Sequence, residues 1–383
     1  MPASECLSFP LDYDASPVLI VCAGRSGSTL LRNLLSRHPD LHVSIESHFW
    51  VEAAGERSFN AAPHRSLAAY CASAPFRWLR LDEDAVLALL PASPNKAQAF
   101  CALMQADAER HGKRRFGDKT PAHALVLRQL LRALPHARVV HLVRDPRDVV
   151  AALRRMPWAS ASLLLNTLYT WLSVESVLSC GRDDERVLHM RHEELIAAPE
   201  ASVRRLLDHL HLDASDEAVA AMLEPAATAN GVPKAAAAAA AVPWLADSFG
   251  RIRPAAERAK TVGTSAAPSA LSPAAEALVE RVCAHHMRVF GYARRHPDAT
   301  WRTTLLAPFG VIEMGRALVA AVSACLAAAT PSVDRLAGVP PEEQAERQLG
   351  RWLNLNPAAW RQWPGWDAQR AVAVQLHPLP SEG

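Results

Sequence analysis

Along the chain, short apolar runs alternate with stretches whose apolar residues recur at helical spacing. Val18-Leu19-Ile20-Val21-Cys22 is a continuous apolar run of strand length, and Leu30-Leu31-Arg32-Asn33-Leu34-Leu35 behind it fits one face of a helix. This first strand–helix unit runs from about Pro17 to Arg37 and is closed by His38-Pro39-Asp40. A second short strand is expected at Leu41–Ile45, delivering Glu46-Ser47-His48 at its end. Residues 51–115 are helix-patterned, punctuated by Pro63, Pro75, Pro91 and Pro94, and read as an insertion over the sheet. Phe116–Pro121 is polar and turn-prone and precedes a helix at about His123–Ala133. Ala137–Val143 is a clear strand that ends in Arg144-Asp145-Pro146-Arg147-Asp148, with a helical pattern through Leu153. A long helix over 160–180, a strand at Val187–Arg191 and an amphipathic helix at Pro199–Leu210 follow.

The pattern loosens beyond Asp213. The alanine run Ala235–Ala241, and the Pro-, Ser-, Thr- and Ala-rich stretch 251–273, predict a mobile loop over about 225–270. A helix from Pro273 to Val289 ends at Phe290-Gly291-Tyr292. Residues 1–16 read as an extended lead-in and 296–383 as a helical extension. Its apolar helix near Ala317–Ala329 stops at Pro331, short of the roughly 20 residues a membrane span needs. Trp352, Trp360, Trp363 and Trp366 in the tail read as a clamp packed on the body.

Composition narrows this picture. The 383 residues suffice for two domains or one large α/β domain with insertions, and 50% hydrophobic with 21% charged residues excludes wholesale disorder. A net charge of +2 argues against broad electrostatic binding of nucleic acid, so any basic site is local. The seven cysteines are scattered without a Cys-x-x-Cys pair, which fits a reducing, cytoplasmic setting without structural zinc. Residues 1–14 carry Glu5, Asp12 and Asp14 and no apolar core of a signal peptide. Arginine far outnumbers lysine and alanine and proline abound, a composition suggestive of a bacterial, GC-rich genome.

The chemistry is concentrated at the strand ends. Gly24-Arg25-Ser26-Gly27-Ser28-Thr29-Leu30 lies between the first strand and its helix, the layout of a phosphate-binding loop in which backbone N–H groups and a helix dipole meet an anion. A nucleotide-triphosphate loop of this kind has lysine directly after its last glycine. Here Ser28 stands there and the cation has moved ahead, to Arg25, which counts against a magnesium-dependent kinase or NTPase. No His/Cys/Asp cluster at metal-ligand spacing is visible; His285 and His286 are adjacent and point apart on a helix.

Taken together, these stretches resemble the sulfotransferases that use 3′-phosphoadenosine 5′-phosphosulfate (PAPS), over about residues 17–295. Val18–Leu35 resembles their 5′-phosphosulfate loop and Val139–Leu153 their 3′-phosphate motif. Phe116–Pro121, Val187–Leu210 and the stretch from Thr261-Val262-Gly263 to Tyr292 are similar to weaker blocks. The likeness is greatest to the bacterial carbohydrate-type and tyrosylprotein branches. It implies an α/β, P-loop-type three-layer fold with a central, mostly parallel sheet, a helical insertion and a helical C-terminal extension.

It also implies roles. Gly24 to Leu30 would hold the 5′-phosphosulfate, with Arg25 offsetting charge on the bridging oxygen, and Arg144 would grip the 3′-phosphate. A family serine eight residues beyond that arginine is Ala152 here, with Arg147, Asn166 or Thr167 as replacements the sequence does not choose among. Glu46 matches the catalytic glutamate of the tyrosylprotein enzymes and would take the acceptor proton, with His48 and His42 as rivals. Lys119 matches a lysine that stabilises the transferring group, and Thr261 and Thr264 would close the donor site. The donor carries its own leaving group, so no metal is implied, and the partner is a hydroxyl-bearing acceptor: a glycan, lipid or small natural product. A P-loop kinase or NTPase, or a non-catalytic nucleotide-binding protein, is the alternative.

Overall fold

The computed structural model describes residues 16–88, 94–156, 159–160, 162–223, 271–301, 304 and 312–314. The loop over 225–270 with Thr261 and Thr264, the lead-in, and nearly all of the 296–383 extension with its apolar helix and four tryptophans lie outside the described residues.

Five parallel strands form the sheet: β1 (Val18–Val21), β2 (Leu41–Ser44), β3 (Arg115–Lys119), β4 (Arg138–Val143) and β5 (Val187–Arg191), in the order β2-β3-β1-β4-β5. Between β1 and β2 lies α1 (Ser28–Leu35). Between β2 and β3 run α2 (Phe49–Glu52), α3 (Glu56–Ala61), α4 (Pro63–Cys71), α5 (Ala74–Leu79), α6 (Glu83–Ala88) and α7 (Lys96–Arg110). A 3-10 turn (Pro121–Val126) and α8 (Leu127–Ala133) lead to β4, and α9 (Pro146–Leu153) and α10 (Leu163–Gly181) to β5. Then come α11 (His192–Ala197), α12 (Pro199–Leu210), α13 (Asp216–Leu223), α14 (Pro273–Val282) and α15 (Ala284–Val289).

Residues alternate between the two faces of a strand, and β1 uses both. Leu19 and Val21 pack into a core with the helices between β2 and β4 and with Val177 of α10. Val18 and Ile20 pack into a second core with α1, α12 and α13. Burial on both faces explains why β1 reads as an unbroken apolar run, and it makes the molecule a three-layer α/β/α sandwich. Among the described residues no helix is long and apolar enough to cross a membrane.

The stretch read as a polar turn, Phe116–Lys119, is instead most of β3, wedged between β2 and β1. Gly117 makes that place available: a Cβ there would lie 2.7 Å from the Val18 carbonyl oxygen. The single helix expected over Pro273–Val289 is two, parted at Cys283.

Chain order reverses about β1, with β2 and β3 on one side and β4 and β5 on the other. Open parallel sheets bind ligands at such a switch, outside the carboxyl ends of the strands. The Gly24–Leu30 loop, Glu46, Lys119 and Arg144 follow or end β1, β2, β3 and β4 on that rim.

Candidate active site

The loop after β1 turns tightly enough to aim its backbone inward. Arg25 (φ 72) and Gly27 (φ 96) both adopt the left-handed conformation, which costs a non-glycine residue such as Arg25 about 1 kcal/mol. Ser26 steadies the bend by donating its Oγ–H and its N–H to the Ala23 carbonyl, at 2.7 and 3.3 Å. The Gly24 N–H donates to the Tyr169 hydroxyl of α10 at 3.1 Å. Gly27 is the N-cap of α1 and no side chain caps that helix, so the first-turn N–H groups face the loop, as anion-binding helix starts do.

Gly27 is required a second way. A Cβ on it would stand 2.4 Å from Nδ1 of His192, the first residue of α11. That Nδ1 is buried without a hydrogen-bond partner, and burial, aided by the Arg144 charge, pushes the imidazole down to about 3. His192 escaped the sequence reading because its contact is with a glycine in a distant unit; the one visible signal was its place directly after β5.

Arg144 leaves β4 and reaches back to that loop. Its Nη1–H donates to the Arg25 carbonyl at 3.3 Å and its Nη2 lies 3.6 Å from Asp148 Oδ2. The two arginine-bearing motifs therefore touch, across a cleft lined by Ala23, Ser26, Arg144, Pro146, Thr170 and Tyr292. The turn carrying Arg144 is braced from the first turn of α11: Glu193 accepts from the Asp145 N–H at 3.0 Å and from the Tyr292 hydroxyl at 2.8 Å.

The replacements considered for the serine absent at Ala152 all have partners within the protein. Arg147 is buried between Asp145 (Nη2 to Oδ2 2.6 Å) and Glu280 (Nη1 to Oε1 2.6 Å). Thr167 Oγ–H donates to the Leu163 carbonyl and Asn166 Nδ2–H to the Ser160 carbonyl. Arg147 thus secures α9 to α14.

On the other flank of β1, Glu46 follows β2 and Lys119 ends β3. Lys119 Nζ lies 2.5 Å from Glu46 Oε1, and His48 Nε2 lies 3.3 Å from Oε2. Burial by itself would raise the Glu46 carboxyl, but the Lys119 ammonium and the His48 imidazole outweigh it and hold it at about 2. The segment carrying these groups is fastened to the end of β3. The Ser47 N–H donates to Asp118 Oδ1, the His48 N–H to Thr120 Oγ1 and the Trp50 N–H to His123 Nε2. His48 is held with φ 50, a left-handed conformation maintained by these bonds.

His42, the other rival base, faces away from this pair. Its Nε2 lies 3.2 Å from Asp107 Oδ2 on α7, and its ring stacks on His111 at 3.8 Å. His42, Asp107 and His111 form a cluster at metal-ligand distances that sequence spacing did not reveal. Its carboxylate is already engaged: Arg110 Nη2 and Ser44 Oγ donate to it, at 2.9 and 2.5 Å. His111 Nδ1 is taken up by the Asp107 carbonyl at 2.7 Å. The cluster braces α7 against β2.

An α/β sheet whose central strand feeds a glycine-bearing loop, with an arginine from the next strand reaching that loop, has the layout of a P-loop-like fold. Residues 17–216, more than half of the chain, match the Sulfotransferase family, and the chain belongs to it. It is 29% identical over 233 residues to the nodulation protein NoeE of Sinorhizobium fredii, covering 53% of this chain and 52% of that one. It is 27% identical over 220 residues to protein-tyrosine sulfotransferase 1 of Danio rerio, covering 55% and 58%. A shorter match, 32% over 108 residues (24% and 28%), is to the omega-hydroxy-beta-dihydromenaquinone-9 sulfotransferase Stf3 of Mycobacterium tuberculosis. The chain spans about half the length, or less, of these relatives. The sulfotransferase STF9 of Mycobacterium avium superposes with TM-score 0.42 at 16% identity over 76% of this chain and 79% of that one, too loosely to bear on the site.

Proposed function

We propose that the protein transfers a sulfuryl group from PAPS to a hydroxyl acceptor by in-line displacement. The observation that carries this reading is convergence: the Gly24–Leu30 loop and Arg144 touch across one cleft, and the Glu46–Lys119 pair stands on the same rim. The uncapped start of α1 and Arg25 suit the 5′-phosphosulfate, and Arg144, fixed through Glu193, suits the 3′-phosphate. Sulfuryl transfer needs positioning and neutralisation of spread charge more than covalent help. Arg25 and Lys119 supply positive charge, and Glu46 accepts the acceptor proton.

A glycan, lipid or small natural-product hydroxyl is the acceptor class we favour. A cytoplasmic setting agrees with the free thiols of Cys22, Cys71, Cys101, Cys180 and Cys283.

The test is calorimetric titration with adenosine 3′,5′-bisphosphate, without magnesium, beside ATP with magnesium. Binding of the bisphosphate that falls at least about tenfold in Arg144→Ala, the scale of a lost charged hydrogen bond, supports the reading. No bisphosphate binding, or a preference for magnesium-ATP, refutes it in favour of a kinase or NTPase.

A further inference from the structure

The two oxygens of Glu46 are committed differently. Oε2 faces His48, whose backbone N–H is fastened to Thr120 Oγ1 at 3.2 Å. Oε1 faces Lys119 Nζ at the end of a flexible four-carbon stem, with the two side chains 4% and 15% exposed. A carboxylate in such a pair, held at about 2, is far too weak a base to take a hydroxyl proton at neutral pH. For Glu46 to act, the ammonium has to leave Oε1. Lys119 is the register partner of Ile20, so its stem starts beside the strand that feeds the Gly24–Leu30 loop. An anion held in that loop is a competing partner for the ammonium.

We propose that Lys119 masks Oε1 of Glu46 until the sulfuryl anion of a bound donor draws the ammonium away, so that donor binding switches on the base. The inference rests on the donor reading given above. In the transfer step the acceptor oxygen bonds to sulfur as the bond from sulfur to the bridging oxygen breaks. The bridging oxygen keeps that electron pair and departs on adenosine 3′,5′-bisphosphate. The acceptor proton passes to Oε1, which Lys119 has vacated for the sulfuryl oxygens. Acceptor chemistry is thereby tied to donor occupancy.

The exchange of partners is measurable without an acceptor, by titrating PAPS and, separately, the bisphosphate that lacks the sulfuryl group. Removing the Glu46 charge leaves Lys119 a buried cation without its carboxylate. Glu46→Gln is therefore expected to bind PAPS about tenfold more tightly with bisphosphate affinity unchanged. Lys119→Met is expected to weaken PAPS alone. In the Lys119→Met background the gain from Glu46→Gln should vanish, because no ammonium remains to be freed. A gain that persists there is plain repulsion between Glu46 and the sulfuryl group and overturns the proposal. An unchanged or weakened PAPS affinity in Glu46→Gln overturns it too. If Glu46→Gln fails to fold, seen as lost bisphosphate binding, Glu46→Asp draws the carboxylate back by one methylene and should shift the PAPS-to-bisphosphate ratio the same way. No shift there overturns the handover. Failure of the unaltered protein to bind either ligand sinks the donor reading itself, an outcome read before any variant is made.

Discussion

Replacing Gly27 by alanine isolates what the Gly24–Leu30 loop demands of its backbone. Two separate costs arise. The residue sits at φ 96, where a side chain costs about 1–2 kcal/mol. The new methyl would also stand 2.4 Å from His192 Nδ1, roughly an ångström inside ordinary contact at 3.5–4.0 Å. Relieving that overlap requires His192 to swing or α11 to shift, at about 1–2 kcal/mol for an overpacked contact. The sum is about 2–4 kcal/mol, read as a lowered urea midpoint at unchanged slope. His192→Ala removes the contact and leaves the backbone cost, so a double-mutant cycle separates them. The coupling energy expected between Gly27→Ala and His192→Ala is about 1 kcal/mol or more in the relieving direction. Additive effects would show that His192 does not confine Gly27, and would remove the second reason given for that glycine.

Glu193→Ala deprives the Asp145 N–H and the Tyr292 hydroxyl of their acceptor; bisphosphate affinity should fall by about tenfold with about 1 kcal/mol of stability lost, measured by calorimetry and urea unfolding. His141 and His189 meet Nδ1 to Nδ1 at 2.9 Å between β4 and β5, and burial, then for His141 the neighbouring imidazoles, lowers both from the ordinary histidine value. A lowered folded pKa means the unfolded chain binds more protons, so stability is full above about pH 6.5 and drains as pH falls below it. Unfolding at pH 7.5 and 5.0 should show a loss in the unaltered protein that exceeds that of His141→Asn; equal losses would exclude the pair as its source. Asp107→Asn disrupts a carboxylate shared by Ser44, His42 and Arg110 and should cost about 3 kcal/mol, with zinc or chelator leaving the melting temperature of the unaltered protein unmoved.

The stretches legible from sequence were those whose own residues determine their state. Val18–Val21 and Val139–Val143 are buried on both faces, and Val187–Arg191 and Pro199–Leu210 fall where their periodicity puts them. The loop with Arg25 and the turn with Arg144 announced themselves as small or charged residues between a strand and a helix. β3 did not, because Gly117, Asp118 and Lys119 are poor strand formers. They are paid for by partners the chain supplies from afar: Ser47 for Asp118 and Glu46 for Lys119. The same blindness hid the structural role of Arg147, whose partner Glu280 is remote in sequence. It also hid His192 above Gly27 and the His42–Asp107–His111 brace.

The bond from Arg144 to the Arg25 carbonyl closes a loop of 119 residues, and this sets an order on the birth of the molecule. β1 is made first but pairs with β3 and β4, which emerge much later. Contacts so far apart in sequence form late and slowly, since chain entropy must be lost before they repay it. A growing chain that ends before Val143 has the Gly24–Leu30 loop in sequence but no Arg144 to set against it. The contact that sets Arg144 against this loop therefore forms only once β4 is in place, and it fastens β1 to the end of β4 at one point.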